Sequence, residues 1–174
     1  ENATATDENK TASETEKTAG GADDLVLYSA LDGTAIPLSQ VNDATFASEV
    51  LGKGIAVNPA KGEVVAPCDA TVETVFDPKH AVGLSTESGM ELLIHIGINT
   101  VELGGKYYTA HVKDGDRVKK GQLLISFDMD KIKEAGYDVT TPLIVTNTDD
   151  YRDVKALHEG PVTPADKVLE IVKE

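Results

Sequence analysis

Short apolar runs follow one another through most of this 174-residue chain, and polar turn residues separate them. From Leu25 onward the runs are rich in Val, Ile and Leu, with Gly, Pro, Asn and Asp between them. This length and spacing are typical of antiparallel strands in a β-sandwich or barrel. We therefore predict an all-β domain, an antiparallel β-sandwich or barrel with a few short helices. The predicted strands are 25–30, 54–57, 63–67, 71–76, 81–85, 91–96, 107–111, 122–127, 143–145 and 168–172.

Helical patterns are confined to short segments, which we place at 43–50, 129–135 and 149–157. None of them is long enough to determine the architecture. Two other segments, 64–72 and 112–124, resemble each other weakly. A duplicated half-barrel would explain that similarity.

The first residues of the chain differ from the rest, because 1–22 contain no large apolar side chain. Such a segment cannot offset its ordering entropy by burial. We predict a disordered acidic linker at 1–24 and one domain at 25–174. Because the chain begins at Glu1 rather than Met, we expect either a piece of a longer protein or a processed chain. With no signal peptide and no apolar run of membrane-spanning length, we expect a cytoplasmic segment.

Charge and cysteine content narrow the function classes. The net charge of −14 repels phosphate backbones, so we expect no nucleic-acid partner. The single cysteine, Cys68, excludes an internal disulfide and suits a reducing compartment. No base or helix start lies near Cys68 in the sequence, and we predict that it packs against the core.

Two histidines, His80 and His95, flank a predicted hairpin loop. The alternation of strand 91–96 places Leu92, Ile94 and Ile96 on one face and leaves His95 on the other. If the loop centres between residues 87 and 88, the two histidines are directly opposite each other. If it centres between 88 and 89, they are diagonal neighbours. Either register brings the imidazoles together.

Two adjacent imidazoles suit phosphoryl transfer. A neutral ring nitrogen is a competent nucleophile, and a second imidazole can donate a hydrogen bond to oxygens that gain charge. Leu93 and Phe76 are candidates to shield a phosphorylated histidine from water. Zinc binding is the rival use, although only two protein ligands are visible. A half-buried pair bonded to backbone is a third possibility. For His111 and His158 we expect ordinary solvated roles.

The segments 76–84 and 92–103, which contain the two histidines, closely resemble the glucose-type IIA domain of the bacterial phosphoenolpyruvate:sugar phosphotransferase system. The resemblance extends over 25–174. It includes Phe46, the segments 52–56, 65–67 and 115–124, and the pairs 127–128 and 141–142.

The resemblance implies a phosphocarrier domain with the duplicated hybrid motif of glucose permease IIA. In that family His95 would take a phosphoryl group on Nε2 from phospho-HPr and pass it to a IIB cysteine for sugar uptake and phosphorylation. His80 would stabilise the group. An apolar rim for partner docking would comprise Phe46, Phe76, Leu93 and Val101.

The resemblance also bears on cofactors, partners and location. No cofactor is required, but zinc could bind His80 and His95 if a partner supplies a carboxylate. The domain would be fused to, or associated with, a membrane IIC or transporter domain at the inner face of the membrane. The chain departs from the family pattern at Pro78, where relatives often carry threonine, and at Asn99, where aspartate is common. We expect altered rate rather than altered chemistry.

Three alternatives remain. A regulatory IIA-like domain fused to a sugar transporter would accept phosphate without passing it on. In a lipoyl or biotinyl carrier domain, Lys131 would be the lysine that carries the attached group. That residue lies in a predicted helix rather than in a tight hairpin. A zinc peptidase of the LytM type requires a His-x-His pair, and this chain has His95-Ile96-Gly97.

Overall fold

A computed structural model describes residues 25–173, which consist mainly of short β-strands. The two α-helices within this range are α1 (Ala44–Ala47) and α2 (Met129–Glu134). The strands are β1 (Val26–Tyr28), β2 (Gly33–Pro37), β3 (Lys53–Pro59), β4 (Glu63–Val65), β5 (Ala70–Val75), β6 (Ala81–Ser85), β7 (Glu91–His95), β8 (Tyr108–Ala110), β9 (Arg117–Val118), β10 (Leu123–Phe127), β11 (Thr141–Val145), β12 (Asp153–Ala156), β13 (Gly160–Val162) and β14 (Lys167–Val172).

The strands form one large sheet and two small ones. The eight-stranded sheet has the order β13-β2-β3-β11-β7-β6-β5-β9, and the three-stranded sheets have the orders β1-β14-β12 and β4-β10-β8. All the strand pairs are antiparallel. The all-β prediction is therefore confirmed. The arrangement is a sandwich, because none of the sheets in the described range closes on itself.

Each of the ten predicted strands overlaps an observed one. The four strands that the sequence did not predict, β2, β9, β12 and β13, are short or include glycine, proline or charged residues. Helices α1 and α2 are confirmed, α1 being shorter than predicted. The predicted linker at 1–24 lies outside the described residues.

The predicted helix at 149–157 is wrong. A 3-10 turn covers Thr148–Asp150, and the chain then enters strand β12. Strand β12 pairs with β14, and Val154 is buried in the core. This long-range pairing overrides the local helical preference. The structure therefore places His158 after a strand and not near a helix end.

The two similar segments, 64–72 and 112–124, lie against each other. Ala66 accepts a hydrogen bond from the Gly121 N–H and donates its own N–H to the Gln122 carbonyl, both at 2.9 Å. Further along, Thr71 pairs with Arg117 between β5 and β9. The weak repeat in the sequence thus corresponds to two segments that are neighbours in space.

Two apolar cores occupy opposite faces of the large sheet. Strand β11 is buried along its whole length, and its side chains alternate between the two cores. Leu143 and Val145 belong to the main core, whereas Ile144 belongs to a smaller one with Phe46. The smaller core is formed where the segment before and within α1 covers the outer face of the sheet. Its members are Leu38, Val41, Phe46, Ala56, Ile98 and Ile144. His95 borders this smaller core through its contact with Phe46.

Candidate active site

Strands β6 and β7 form the hairpin that carries both histidines. Ala81 pairs with His95, and Ser85 pairs with Glu91 across a five-residue connection, 86–90. Neither register predicted from the sequence is correct, since the observed pairing lies between the two. The five-residue connection centres on Ser88 rather than between two residues, and the length of the loop sets the hairpin register.

The predicted alternation of β7 is confirmed. Leu92, Ile94 and Ile96 are buried in the main core. His95 and Leu93 are half-buried on the opposite face. That face continues onto β11, where Ile144 pairs with Leu93.

His80 reaches His95 from just outside the hairpin ladder. The His80 carbonyl accepts a 2.7 Å hydrogen bond from the Ile96 N–H, so its backbone is opposite Ile96 rather than His95. The preceding residue, Lys79, has a φ of 98°, which reorients the chain before β6 begins. The two imidazole rings lie 4.9 Å apart between centroids and are nearly perpendicular, at 79°. The rings therefore meet although the hairpin register places His80 opposite Ile96.

The hydrogen bond at Nδ1 determines which nitrogen of His95 can react. His95 Nδ1 lies 2.7 Å from the Gly97 carbonyl oxygen. A carbonyl oxygen only accepts, so Nδ1 carries the proton in the neutral ring. The lone pair is therefore on Nε2.

The charge state of His95 is set by its surroundings. Burial lowers the pKa of His95, while the bond to Gly97 and the negative charge of Asp43 partly oppose that effect. The net direction is downward from the ordinary value of 6.5. His95 is therefore neutral at physiological pH and presents a nucleophilic nitrogen.

Gly97 makes this bond possible. Its φ is +90°, a conformation that residues with a Cβ rarely adopt. A Cβ there would lie 2.5 Å from Thr100 Cγ2 and 3.0 Å from the Asp138 carbonyl oxygen. The peptide after Gly97 is anchored by a 2.9 Å bond from the Ile98 N–H to the Asp138 carbonyl. The acceptor of the His95 proton is thus fixed by backbone.

His80 is more deeply buried than His95, with 8% of its surface exposed. Burial and the neighbouring His95 both lower the pKa of His80, so this ring is also neutral at physiological pH. Within the described part of the chain, its Nδ1 has no hydrogen-bond partner. Two uncharged imidazoles therefore face each other without repulsion.

Helix α1 places an aromatic ring beside the pair. The Asp43 carboxylate caps this helix by accepting a 2.8 Å bond from the Thr45 N–H. Phe46 follows in the same helix, with its ring centroid 5.1 Å from that of His95. Phe46 is buried, at 6% exposure, so it contributes an apolar wall to the site.

The other residues predicted for the apolar rim lie nearer the surface. Phe76 is 41% exposed and Val101 is 50% exposed, whereas Leu93 is half-buried. A Cβ at Gly83 would be 3.6 Å from the Phe76 ring, which therefore lies over β6. Gly83 pairs with Leu93, so Phe76 and Leu93 share the face that carries His95. Val101 lies in the 3-10 turn Thr100–Leu103 that follows Asn99.

The remaining candidates lie elsewhere. His111 Nε2 is 2.8 Å from Ser126 Oγ, and His158 donates from Nε2 to the Pro161 carbonyl at 2.9 Å. Lys131 lies in α2, as expected, and not in a hairpin. Cys68 is half-buried and packs against the main core, as predicted. In residues 25–173 no group of three or more His, Cys, Asp or Glu side chains could hold a metal ion.

Several residues of the site had no role assigned from the sequence. The negative charge of Asp43 raises the pKa of His95. The Gly97 carbonyl accepts a hydrogen bond from His95 Nδ1. The aspartate before a short helical pattern was a recognisable N-cap signal. The glycine directly after a buried strand was a signal for an unusual backbone angle. Neither signal indicates which side chain it would serve.

Comparison with known proteins identifies the class. The sequence profile of the phosphoenolpyruvate-dependent sugar phosphotransferase system, EIIA 1, matches residues 25–151. The chain belongs to this family, and it is therefore an EIIA domain, a phosphotransferase component of a sugar transport system.

Individual relatives occur both as separate proteins and as parts of larger ones. The chain is 43% identical over 150 residues to the glucose-specific EIIA component of Oceanobacillus iheyensis, covering 86% of the chain and 91% of that protein. It is 50% identical over 149 residues to the beta-glucoside-specific EIIBCA component of Dickeya chrysanthemi, covering 86% of the chain. The chain spans only 24% of that second relative.

A solved structure supports the fold directly. Glucose permease IIA from Mycoplasma capricolum matches with a TM-score of 0.77 and 34% identity, over 83% of this chain and 94% of that one. The predicted sandwich of the glucose permease IIA type is thereby confirmed. None of the helices between residues 25 and 173 has the length and apolar character needed to cross a membrane.

Proposed function

We propose that His95 Nε2 accepts a phosphoryl group from phospho-HPr and passes it to the cysteine of a IIB domain. The observation that carries this assignment is the hydrogen bond from His95 Nδ1 to the Gly97 carbonyl. It fixes the proton on Nδ1 and leaves the Nε2 lone pair for attack on phosphorus.

The transfer is a displacement at phosphorus. A bond forms between His95 Nε2 and phosphorus while the bond between phosphorus and the donor atom of phospho-HPr breaks. The electron pair of the broken bond stays with the donor. The phosphorylated ring keeps its proton on Nδ1, where the Gly97 carbonyl stabilises the positive charge that develops on the imidazole. Transfer to the IIB cysteine is the same displacement with His95 as the leaving group.

His80 stabilises the transferred group in this scheme. Its ring lies 4.9 Å from that of His95 and is held by burial. A neutral imidazole whose proton is on Nε2 donates a hydrogen bond from Nε2–H to a phosphoryl oxygen. In that tautomer Nδ1 carries a lone pair and no proton. This agrees with the described structure, in which Nδ1 has no hydrogen-bond acceptor as a partner. The role is electrostatic, because phosphoryl transfer depends mainly on positioning and charge stabilisation.

The apolar rim, Phe46, Phe76, Leu93 and Val101, supplies the docking surface. The exposed side chains of Phe76 and Val101 would contact the partner, and the buried Phe46 would exclude water from the phosphohistidine. The net charge of −14 favours basic partner surfaces. We propose that the domain lies at the cytoplasmic face of a membrane permease; relatives that carry it fused to EIIB and EIIC support this proposal.

The two imidazoles would bind zinc stably only if another protein supplied a further ligand. Stable zinc sites use four ligands, at least three usually from protein, and residues 25–173 offer two neighbouring imidazoles. We propose that His80 and His95 bind zinc when a docked partner adds a carboxylate. No cofactor is needed for the transfer itself.

The test combines phosphoenolpyruvate carrying ³²P, enzyme I and HPr with the wild-type domain and three variants. We expect His95→Gln to lose labelling completely. We expect His80→Gln to be labelled but to transfer poorly to a IIB domain. His111→Gln is the matched control and should behave as wild type. His111 is exposed and contacts Ser126 in β10, a strand of the small sheet β4-β10-β8 and not of the sheet that carries the pair. Labelling that persists in His95→Gln refutes the assignment.

The same assay separates the carrier from a regulatory domain. A chase with purified IIB should remove the label from the wild-type domain. A domain that only regulates would retain its label in the presence of IIB domains from every class tested.

A further inference from the structure

Three hydrogen bonds converge on Ile96, the residue directly after His95. Its N–H donates to the His80 carbonyl at 2.7 Å. Its carbonyl oxygen accepts from the Thr100 hydroxyl at 2.7 Å and from the Tyr108 hydroxyl at 2.8 Å. Ile96, Thr100 and Tyr108 are all buried, so these bonds form away from water.

The carbonyl of Ile96 is fully used. A carbonyl oxygen has two lone pairs, and the two hydroxyls occupy both. We call this pair of hydroxyls, from Thr100 and Tyr108, the hydroxyl clamp. Because both hydroxyls donate to the carbonyl of the peptide between residues 96 and 97, rotation of that peptide would break two buried hydrogen bonds at once.

The clamp is adjacent to the acceptor of the His95 proton. The peptide between residues 96 and 97 is held by the clamp, and the next peptide is held by the Ile98 N–H bond to the Asp138 carbonyl. Together these anchors aim the Gly97 carbonyl at His95 Nδ1. If the first peptide tilts, the Gly97 carbonyl moves and the 2.7 Å bond to Nδ1 weakens.

The hydroxyl of Tyr108 is separable from the packing of its ring. Tyr108 lies in β8 and its ring stacks on Phe127, with centroids 6.3 Å apart. Both residues belong to the main core, which holds the ring in place whether or not the hydroxyl is present. Burial also raises the pKa of Tyr108, so its hydroxyl remains a donor throughout the physiological range.

We propose that Tyr108 is a positioning residue for phosphoryl transfer, which acts with Thr100 by clamping the Ile96 carbonyl so that His95 keeps its proton on Nδ1 and its lone pair on Nε2. This inference rests on the proposed role of His95 as phosphoryl acceptor. Tyr108 does not touch the reacting atoms. Its effect passes through the Ile96 and Gly97 backbone to the tautomer of the nucleophile.

Loss of the Tyr108 hydroxyl would leave His95 as a mixture of two tautomers. With a weaker bond to Gly97, a fraction of His95 carries its proton on Nε2, and that fraction cannot attack phosphorus. One hydrogen bond of ordinary strength corresponds to about a fivefold change in an equilibrium. Because the rate follows the fraction of His95 in the Nδ1–H tautomer, this change slows transfer by at most about fivefold. We expect Tyr108→Phe to transfer more slowly than wild type within that limit, with an unchanged KM for phospho-HPr, since the rim is intact.

The experiment measures the tautomer directly. The domain is labelled with ¹⁵N at histidine, and the Nδ1 and Nε2 shifts of His95 are recorded from pH 6 to 9 in the unphosphorylated wild type and in Tyr108→Phe. Tyr137→Phe is the matched control, because it removes a hydroxyl that bonds to Glu102 and not to Ile96. We expect a shift toward the Nε2–H tautomer in Tyr108→Phe and none in Tyr137→Phe.

A second pair of variants tests the other half of the clamp. Thr100→Val removes the hydroxyl at nearly constant volume, whereas Thr100→Ser retains it. We expect the valine variant to shift the His95 tautomer and slow transfer, and the serine variant to restore both toward wild type. A merely structural role would lower the thermal midpoint without changing the ¹⁵N shifts.

Two outcomes decide between this inference and the proposed function. If the clamp variants keep the wild-type tautomer and transfer rate, the positioning role is overturned. If the clamp variants shift the tautomer but wild-type His95 is not phosphorylated, the clamp exists and the proposed acceptor is wrong. The NMR measurement needs no phosphorylated protein, so the two failures are distinguishable.

Discussion

Replacing Gly97 with alanine tests whether the backbone of the site is as tightly constrained as the structure shows. The φ of Gly97 is +90°, and an added Cβ would lie 2.5 Å from Thr100 Cγ2 and 3.0 Å from the Asp138 carbonyl oxygen. Gly104 provides a matched control in the following turn. Its φ is +65°, but no atom lies within 4 Å of an added Cβ.

The difference between the two variants follows from these contacts. Alanine in a left-handed conformation costs about 1–2 kcal/mol, and the lower entropy of the unfolded chain returns about 0.4–1 kcal/mol. We therefore expect Gly104→Ala to lower the free energy of unfolding by about 1 kcal/mol. Overpacking against Thr100 and Asp138 adds about 1–3 kcal/mol at Gly97, for a total loss of about 2–4 kcal/mol.

Urea unfolding followed by circular dichroism measures both variants, with the slope of each transition checked for constancy. Gly97→Ala should also label more slowly than Gly104→Ala, since any relief of the contacts moves the Gly97 carbonyl away from His95 Nδ1. Equal stability losses in the two variants would refute the reasoning, because the crowded site would then cost no more than the open one.

Three further outcomes are expected. The pKa of His95 in an NMR titration should lie below 6.5, the direction set by burial, and a midpoint at or above 6.5 contradicts the described environment. Because the pKa values of His80 and His95 are both lowered on folding, the unfolded state binds more protons near and below pH 6.5, so the free energy of unfolding should fall as the pH falls through that value. Replacing either histidine with glutamine should make this fall shallower in urea titrations at several pH values. Val101→Asp should raise the KM for phospho-HPr about tenfold, whereas Leu157→Asp, at a similarly exposed site, should leave it unchanged; equal effects would argue against the apolar rim.

Local pattern was sufficient for strand β7, which has one buried face. The alternation in β7 predicted that Leu92 and Ile94 are buried and that His95 faces away from them, and the structure agrees. The period of two is a property of the extended backbone, so it can be read without knowing the partner strand. Local pattern was also sufficient for α2, because its N-cap residue Asp128 directly precedes the predicted start of the helix.

Local pattern failed where pairing decided the outcome. Strand β12 has a weak helical pattern, but its pairing with β14 buries Val154 and makes it extended. The hairpin register also depended on how many residues the loop between Ser85 and Glu91 used. Neither quantity is encoded in the segment itself, because both depend on contacts with residues outside it.

The sequence by itself determined the all-β class, the outward direction of His95 and the family, because strand periodicity and ordered motifs are local properties of the chain. Tertiary structure alone decided how the site is assembled. His80 reaches His95 from outside the hairpin ladder, and α1 places Phe46 beside His95. The Gly97 carbonyl holds the His95 proton. These relations join residues through packing and backbone hydrogen bonds, whose geometry is fixed only when the sheets come together.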